Sequence, residues 1–186
     1  MAEEIGEILN KSLESKNDQD IICDYLKSIG VPYTKIDHEP LFTMNRYGDI
    51  EKRIHSVVPK NLFLSNRQET KHYLLIIKGD KKFKTKELSS QISSARLSFG
   101  KEEKLKELLH CHIGSTSVFG LFFDKMHEVQ LLIDEELLLH EYLAFHPCIN
   151  TSTIRIKTDD LINTFLPSLN HSYQKVILKG EETPFN

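Results

Sequence analysis

Apolar residues recur at helical spacing from the start of the chain. Ile5, Ile8, Leu9 and Leu13 fall on one face, and Ser15-Lys16-Asn17-Asp18 interrupts them. A second helix is predicted from about Gln19, with Asp18 as its N-cap and Ile21, Ile22, Tyr25, Leu26 and Ile29 as its apolar face. Gly30 is its stop. Val31 to Ile36 reads as a short strand, and residues 37–60 carry no clear period. Asn61 to Leu64 and His72 to Ile77 are apolar runs on either side of the polar turn Asn66 to Thr70, the pattern of a hairpin. Helices are predicted over Thr85–Ile92 and Glu102–Leu109. Strands follow at Ser117–Phe123 and Val129–Ile133, and then a helical turn capped by Asp134 and running through Leu139. Ile149–Ile156 alternates as a strand does, Asp159–Leu166 has helical spacing ended by Pro167, and Tyr173–Leu178 is a closing strand. Gly180 to Asn186 has the composition of a frayed tail. Strands and helices are interspersed without regular βαβ alternation, which predicts one α+β domain with a mixed sheet.

Composition narrows the class. The chain has 186 residues, 39% hydrophobic and 27% charged, the values of a soluble globular domain. No apolar run approaches the length of a membrane-spanning helix. The acidic start Met1-Ala2-Glu3-Glu4 lacks the basic and apolar parts of a signal peptide. Cys23, Cys111 and Cys148 are far apart and form no CxxC, which points to reduced thiols in a cytoplasm. A net charge of −3 argues against a protein that coats nucleic acid, yet leaves room for a local basic site at one RNA end.

The common signatures for nucleotide, dinucleotide, zinc-protease and α/β-hydrolase chemistry are absent. His110, His112, His140 and His146 invite a metal reading, but their spacing forces no third ligand, and ordinary polar histidines are the simpler reading. Lys78, Lys81, Lys82, Lys84 and Lys86 read either as a solvated turn and helix or as a phosphate-attracting patch. Lys60, just ahead of an apolar strand, is either a surface lysine or a point charge at a pocket mouth. The small-residue loop Gly114-Ser115-Thr116-Ser117-Val118-Phe119-Gly120 is either a plain turn or a cradle of backbone N–H groups. His146, held extended by Pro147, is either a local backbone partner or an acid–base group.

In order along the chain, several segments together resemble the YbaK/ProX-type aminoacyl-tRNA deacylases. They are Ile36-Asp37-His38-Glu39-Pro40-Leu41-Phe42-Thr43, Pro59-Lys60-Asn61-Leu62-Phe63-Leu64, Ala95-Arg96-Leu97-Ser98-Phe99, Ile113 to Leu121, and Phe145-His146-Pro147 with Asn150-Thr151. The branch most similar is the free-standing one that is like the editing domain of bacterial prolyl-tRNA synthetase. The resemblance divides the chain into an N-terminal helical extension (1–17), an editing domain (18–180) and a tail (181–186). It implies a mixed, partly barrel-like sheet surrounded by helices.

The activity it implies is hydrolysis, without metal or cofactor, of the ester of mischarged tRNA(Pro), chiefly Ala-tRNA(Pro). Cys-tRNA(Pro) hydrolysis, or a non-catalytic tRNA- or synthetase-binding module, are the alternatives. The implied partners are the tRNA(Pro) acceptor end and prolyl-tRNA synthetase. By the same resemblance Lys60 fixes the terminal adenosine phosphate or the ester end, and Gly114 begins an oxyanion loop through Ser115, Thr116, Ser117 and Val118. Val118 stands where the family has proline. His146 orients substrate, Asn61 and Ser98 line the pocket, and Phe42 and Phe119 are either pocket walls or core.

Overall fold

The structure, a computed structural model, describes residues 16–40, 47–94 and 96–180. The predicted first helix, Phe42 and the tail lie outside them. Helix α1 spans Asp18–Ser28. Its N-cap is Asn17, one residue before the predicted one: the Asn17 side chain accepts the Asp20 amide at 2.9 Å. Gly30, at φ 71°, ends the helix as predicted. Its N–H donates to the Lys27 carbonyl at 3.1 Å and that of Val31 to the Leu26 carbonyl at 2.9 Å, the paired bonds of a Schellman motif.

There follow β1 (Thr34–Asp37), α2 (Tyr47–Ile54), β2 (Lys60–Asn66), β3 (His72–Ile77), α3 (Thr85–Gln91), β4 (Leu97–Phe99) and α4 (Glu102–Leu109). After a 3-10 turn at Val118–Phe122 come β5 (Val129–Asp134), a second 3-10 turn at Glu135–Leu139, β6 (Tyr142–Phe145) and β7 (Ser152–Lys157). A helical run from Thr158 to Ser168 leads to β8 (Tyr173–Val176).

The strands form two sheets. The larger is ordered β4-β2-β3-β5-β8, antiparallel from β4 to β3 and parallel from β3 to β8. The smaller, β1-β7-β6, is antiparallel throughout. The larger sheet is buried on both faces. Phe63, Leu74, Ile76, Leu131 and Ile133 enter the main core, while Leu64, Leu75, Ile77 and Leu132 pack under Leu88 of α3. This two-sided burial is why β3 reads as an unbroken apolar run.

Among the described residues the strands form two open sheets, and the expected partly barrel-like closure is not seen. They meet where Val57, just ahead of β2, forms an isolated bridge with Leu143 of β6 and accepts the Ala144 amide at 2.9 Å.

Two predicted elements differ in kind. Ser117–Phe123 is not a strand: the Ser117 side chain accepts the Phe119 amide at 3.1 Å and starts a 3-10 turn. Four residues of that turn are fully or almost fully buried, and burial on all sides erases the periodicity that separates helix from strand. Pro167 does not end the last helix. The run passes through a π-helical turn at Leu161–Phe165 before Leu166–Ser168, and the wider turn accommodates a proline that lacks an N–H and crowds the carbonyl four residues back. Helix α2 and strands β4 and β6 were not predicted.

Candidate active site

Beside the junction of the two sheets lies a cavity of about 310 Å³. One wall is the start of β2, with Val58 and Pro59 leading into Lys60, Asn61 and Leu62. Phe145, the last residue of β6, and His146 just beyond it also line the cavity, and Gly114 and Thr116 of the small-residue loop and Tyr47 of α2 complete it. The fold thus brings together Lys60, Asn61, Gly114, Thr116 and His146, which are far apart in the sequence.

Lys60 is pinned. Its Nζ donates to the carbonyl of Lys81 at 2.9 Å, which among the described residues leaves two of its three N–H donors uncommitted. The Lys81 backbone is in turn anchored by its own side chain, which pairs with Asp134 and, at 2.7 Å, with Glu136. Burial alone pulls the Lys81 ammonium down, but its hydrogen bonds to Asp134 and Glu136 and their negative charge outweigh it, and its pKa is raised. Hydrogen bonding to Lys81 holds Glu136 below the usual carboxylate range. Lys78 also reaches Glu136, at 3.3 Å. Two members of the basic cluster are therefore committed to internal ion pairs.

Asn61 donates its Nδ2 to the Pro59 carbonyl at 3.1 Å. A carbonyl can only accept, so this contact fixes which way the amide points. Its Oδ1 is buried and has no partner among the described residues. An acceptor left bare in this way costs about 1–3 kcal/mol.

His146 is 6% exposed, and its protonation follows from its neighbours. Nδ1 lies 2.7 Å from the Ser152 carbonyl and must donate to it. Nε2 is then a bare acceptor in the neutral ring, and receives the Tyr47 hydroxyl at 3.2 Å. Behind it, His38 donates Nδ1–H to the Glu39 carbonyl at 2.9 Å, and its Nε2 lies 2.9 Å from Thr153 Oγ1. Thr153 Oγ1 also lies 3.4 Å from His146 Nδ1. Burial pushes the His146 pKa down to about 4, against the opposing effect of the Ser152 carbonyl and with a smaller contribution from His38. Burial also raises the Tyr47 phenol. Both ring nitrogens of His146 are thus committed, and as a neutral ring it is suited to fixing Tyr47 at the cavity rather than to carrying charge.

In the loop, Gly114 sits at φ 91°. Ser115 donates its amide to the His112 carbonyl at 2.9 Å and holds the turn rather than facing the cavity. Ser117 caps the 3-10 turn. Val118 is the first residue of that turn, where proline's missing N–H would cost no intrahelical bond. Phe119 is core, packed edge-on against Phe145 at 5.9 Å and Phe165 at 5.4 Å. Of the two readings kept open for it, the structure selects core. Ser98 is exposed and paired with Ser65, five residues along β2 from Lys60 and so about 16 Å away. The structure does not bring it to the cavity.

Tyr47, Val58 and Phe145 were missed as site residues, although Phe145 lay inside a quoted segment and Tyr47, Ile50 and Ile54 have helical spacing. Of the other candidate histidines, His110 stacks on Phe123 at 4.0 Å, His112 lies 3.5 Å from Glu102, and His140 lines open clefts away from this cavity. Among the described residues no three His, Cys, Asp or Glu converge as a metal-ligand set, and no helix is long and apolar enough to cross a membrane. The three cysteines are buried and free.

Residues 38–164 match the family model of the aminoacyl-tRNA editing domain. The chain is 32% identical over 136 residues to the prolyl-tRNA editing protein ProX of Acetoanaerobium sticklandii, covering 73% of this chain and 83% of that protein. It is 28% identical over 151 residues to prolyl-tRNA synthetase associated domain-containing protein 1 of Danio rerio, covering 80% and 81%. In fold it is similar, with a TM-score of 0.66 at 13% identity, to a crystal structure described as that of a candidate trans-editing enzyme for prolyl tRNA synthetase; the match covers 88% of this chain and 98% of that one. The family match spans every cavity residue, from Tyr47 to His146. The chain belongs to the aminoacyl-tRNA editing domain family.

Proposed function

We propose that this protein is a trans-editing deacylase that hydrolyses Ala-tRNA(Pro), with residues 18–180 as its editing unit. The observation that carries the reading is the convergence of Lys60, Gly114 and His146 on one cavity. Water adds to the ester carbonyl, the bond to the ribose oxygen breaks, and alanine and free tRNA leave. In this reading the substrate's own ribose hydroxyl assists that water.

The protein supplies position and electrostatics. Lys60, pinned by one hydrogen bond, directs its other donors at the ester end or terminal phosphate. The loop that opens at Gly114 faces the developing oxyanion, with backbone N–H groups as donors. The amide of Ser115 is spent within the turn, which leaves those of Gly114 and Thr116, the loop residues that line the cavity. Neutral His146 holds Tyr47 in place. Val58, Leu62 and Phe145 give the cavity apolar walls suited to a methyl group. A synthetase site built for proline cannot strongly reject the smaller alanine, so a second, tighter pocket removes the error.

In this reading the partner is the tRNA(Pro) acceptor end, handed over in the cytoplasm beside prolyl-tRNA synthetase. The test is deacylation of Ala-, Cys- and Pro-tRNA(Pro) by wild type and Lys60→Ala. Fast loss of alanine alone, abolished by the substitution, is expected. Preference for the cysteinyl ester overturns the alanyl assignment, and no cleavage of any ester overturns the deacylase.

A further inference from the structure

The chemistry above holds the ester but not the base beside it. Resting on the deacylase reading, we infer that Phe99, backed by Phe83, is the platform on which the terminal adenine of the aminoacyl-tRNA stacks. The ester sits on the ribose that carries this base, so the base comes to rest within about a sugar's width of the cavity. Strand β4 ends there. It pairs with the far half of β2, from Leu64 to Asn66, and its last residue, Phe99, sits opposite Leu64. The Gly100 amide then donates to the Phe63 carbonyl at 2.9 Å, and the next residue back along β2 is Leu62, a cavity wall. Leu62 and Leu64 share one side of the sheet, so Phe99 and Leu62 are diagonal neighbours on that side, about 7–8 Å apart. A single exposed apolar residue is ordinary on a protein surface. Phe99 differs in its place and its neighbours. It is 67% exposed at the rim of the cavity. The Phe83 ring meets it edge-on with centroids 6.4 Å apart, and Phe83 packs on the same core cluster as Leu62. An aromatic ring steadied by a neighbour yet open to solvent is what an unstacked base needs. Lys82 and Lys84 flank Phe83 in sequence, and the Lys81 carbonyl holds Lys60, so lysines suited to the phosphate that leads into this nucleotide border the platform.

The chain contains no tryptophan, so Phe99→Trp installs a single reporter at the platform and keeps a ring to stack on. Titration of that variant with 3′-alanylamido-adenosine should quench its fluorescence saturably, while alaninamide, which lacks the base, should not. In deacylation of Ala-tRNA(Pro), Phe99→Ala should lose roughly 5- to 100-fold in kcat/KM. The loss should fall on KM, with kcat within about threefold of wild type, because a stacked base is held alike in the substrate and the transition state. Phe99→Trp should recover most of it. If melting shows that Phe99→Ala does not fold, the quenching decides alone. A wild-type KM in Phe99→Ala, a loss confined to kcat, or a tryptophan signal unmoved while the Gly114 amide shifts to saturation overturns the inference and leaves the deacylase standing. Failure of wild type to accelerate hydrolysis overturns the deacylase and the inference with it.

Discussion

His146 links the site to the protein's acid stability. In the unfolded chain a histidine takes up a proton near pH 6.5. In the folded protein burial holds His146 neutral down to about pH 4. Between these values the unfolded state binds a proton that the native state refuses, so stability falls as pH falls through the window and the loss is complete below about 4. The gap corresponds to roughly 3 kcal/mol at its acid end, or about 2–3 kcal/mol between pH 7 and about 4.5. Burial also lowers His72 and His171, which add to the loss in the same direction. The informative comparison is therefore with a variant that removes one share only. His146→Asn keeps a donor near the Ser152 carbonyl and cannot titrate in this range. Urea unfolding of both proteins at the two pH values should show the variant losing about 2–3 kcal/mol less than wild type on acidification, whatever its stability at neutral pH. Equal losses, within about 0.5 kcal/mol, would refute the assignment of His146 as a buried neutral ring.

Asp134→Asn places an amide donor against the Lys81 ammonium. Glu136 limits the damage, so the expected loss is about 2–3 kcal/mol, a fall in Tm of roughly 5–10 °C in thermal melts, and deacylation should fall with it because Lys81 anchors Lys60. Gly120→Ala puts a Cβ 2.7 Å from the Leu109 carbonyl oxygen, whereas at Gly114 a Cβ meets open space and only the positive φ opposes it. Melting should therefore show Gly120→Ala as the more destabilising, by about 2 kcal/mol or more against about 1 kcal/mol for Gly114→Ala. Tyr47→Phe leaves His146 Nε2 without its donor, with an expected cost of about 1 kcal/mol by chemical denaturation.

What the sequence revealed follows from where each element sits. The hairpin of β2 and β3, helix α4 and strand β5 carry their own periods and turn residues, and were legible. Helix α2 was hidden because Tyr47, Ile50 and Ile54 mark only a narrow stripe on a short helix containing Gly48. Strand β6 was hidden because its four residues, between a 3-10 turn and the His146-Pro147 bend, are too few to show alternation. Lys60, Gly114 and His146 were singled out through the order of segments, and all three line one cavity. Their hydrogen bonds were beyond reach. The link from His38 to His146 depends on β1 pairing with β7, which sets Ile36 opposite Thr153. The pinning of Lys60 depends on a turn more than twenty residues away that is itself held by Asp134. Ser98 shows the reverse: its segment belongs to the family pattern, but its strand pairs at the far end of β2.

The most direct test of the central claim is to locate the substrate's end on the folded protein. Titration with 3′-alanylamido-adenosine, in which an amide replaces the labile ester, can be followed through backbone amide chemical shifts. Saturable shifts are predicted at Asn61, Leu62, Gly114, Thr116 and His146, and should be lost in Lys60→Ala. Shifts confined to the open cleft around Leu138, His140 and Lys157, with the cavity residues unmoved, would contradict it.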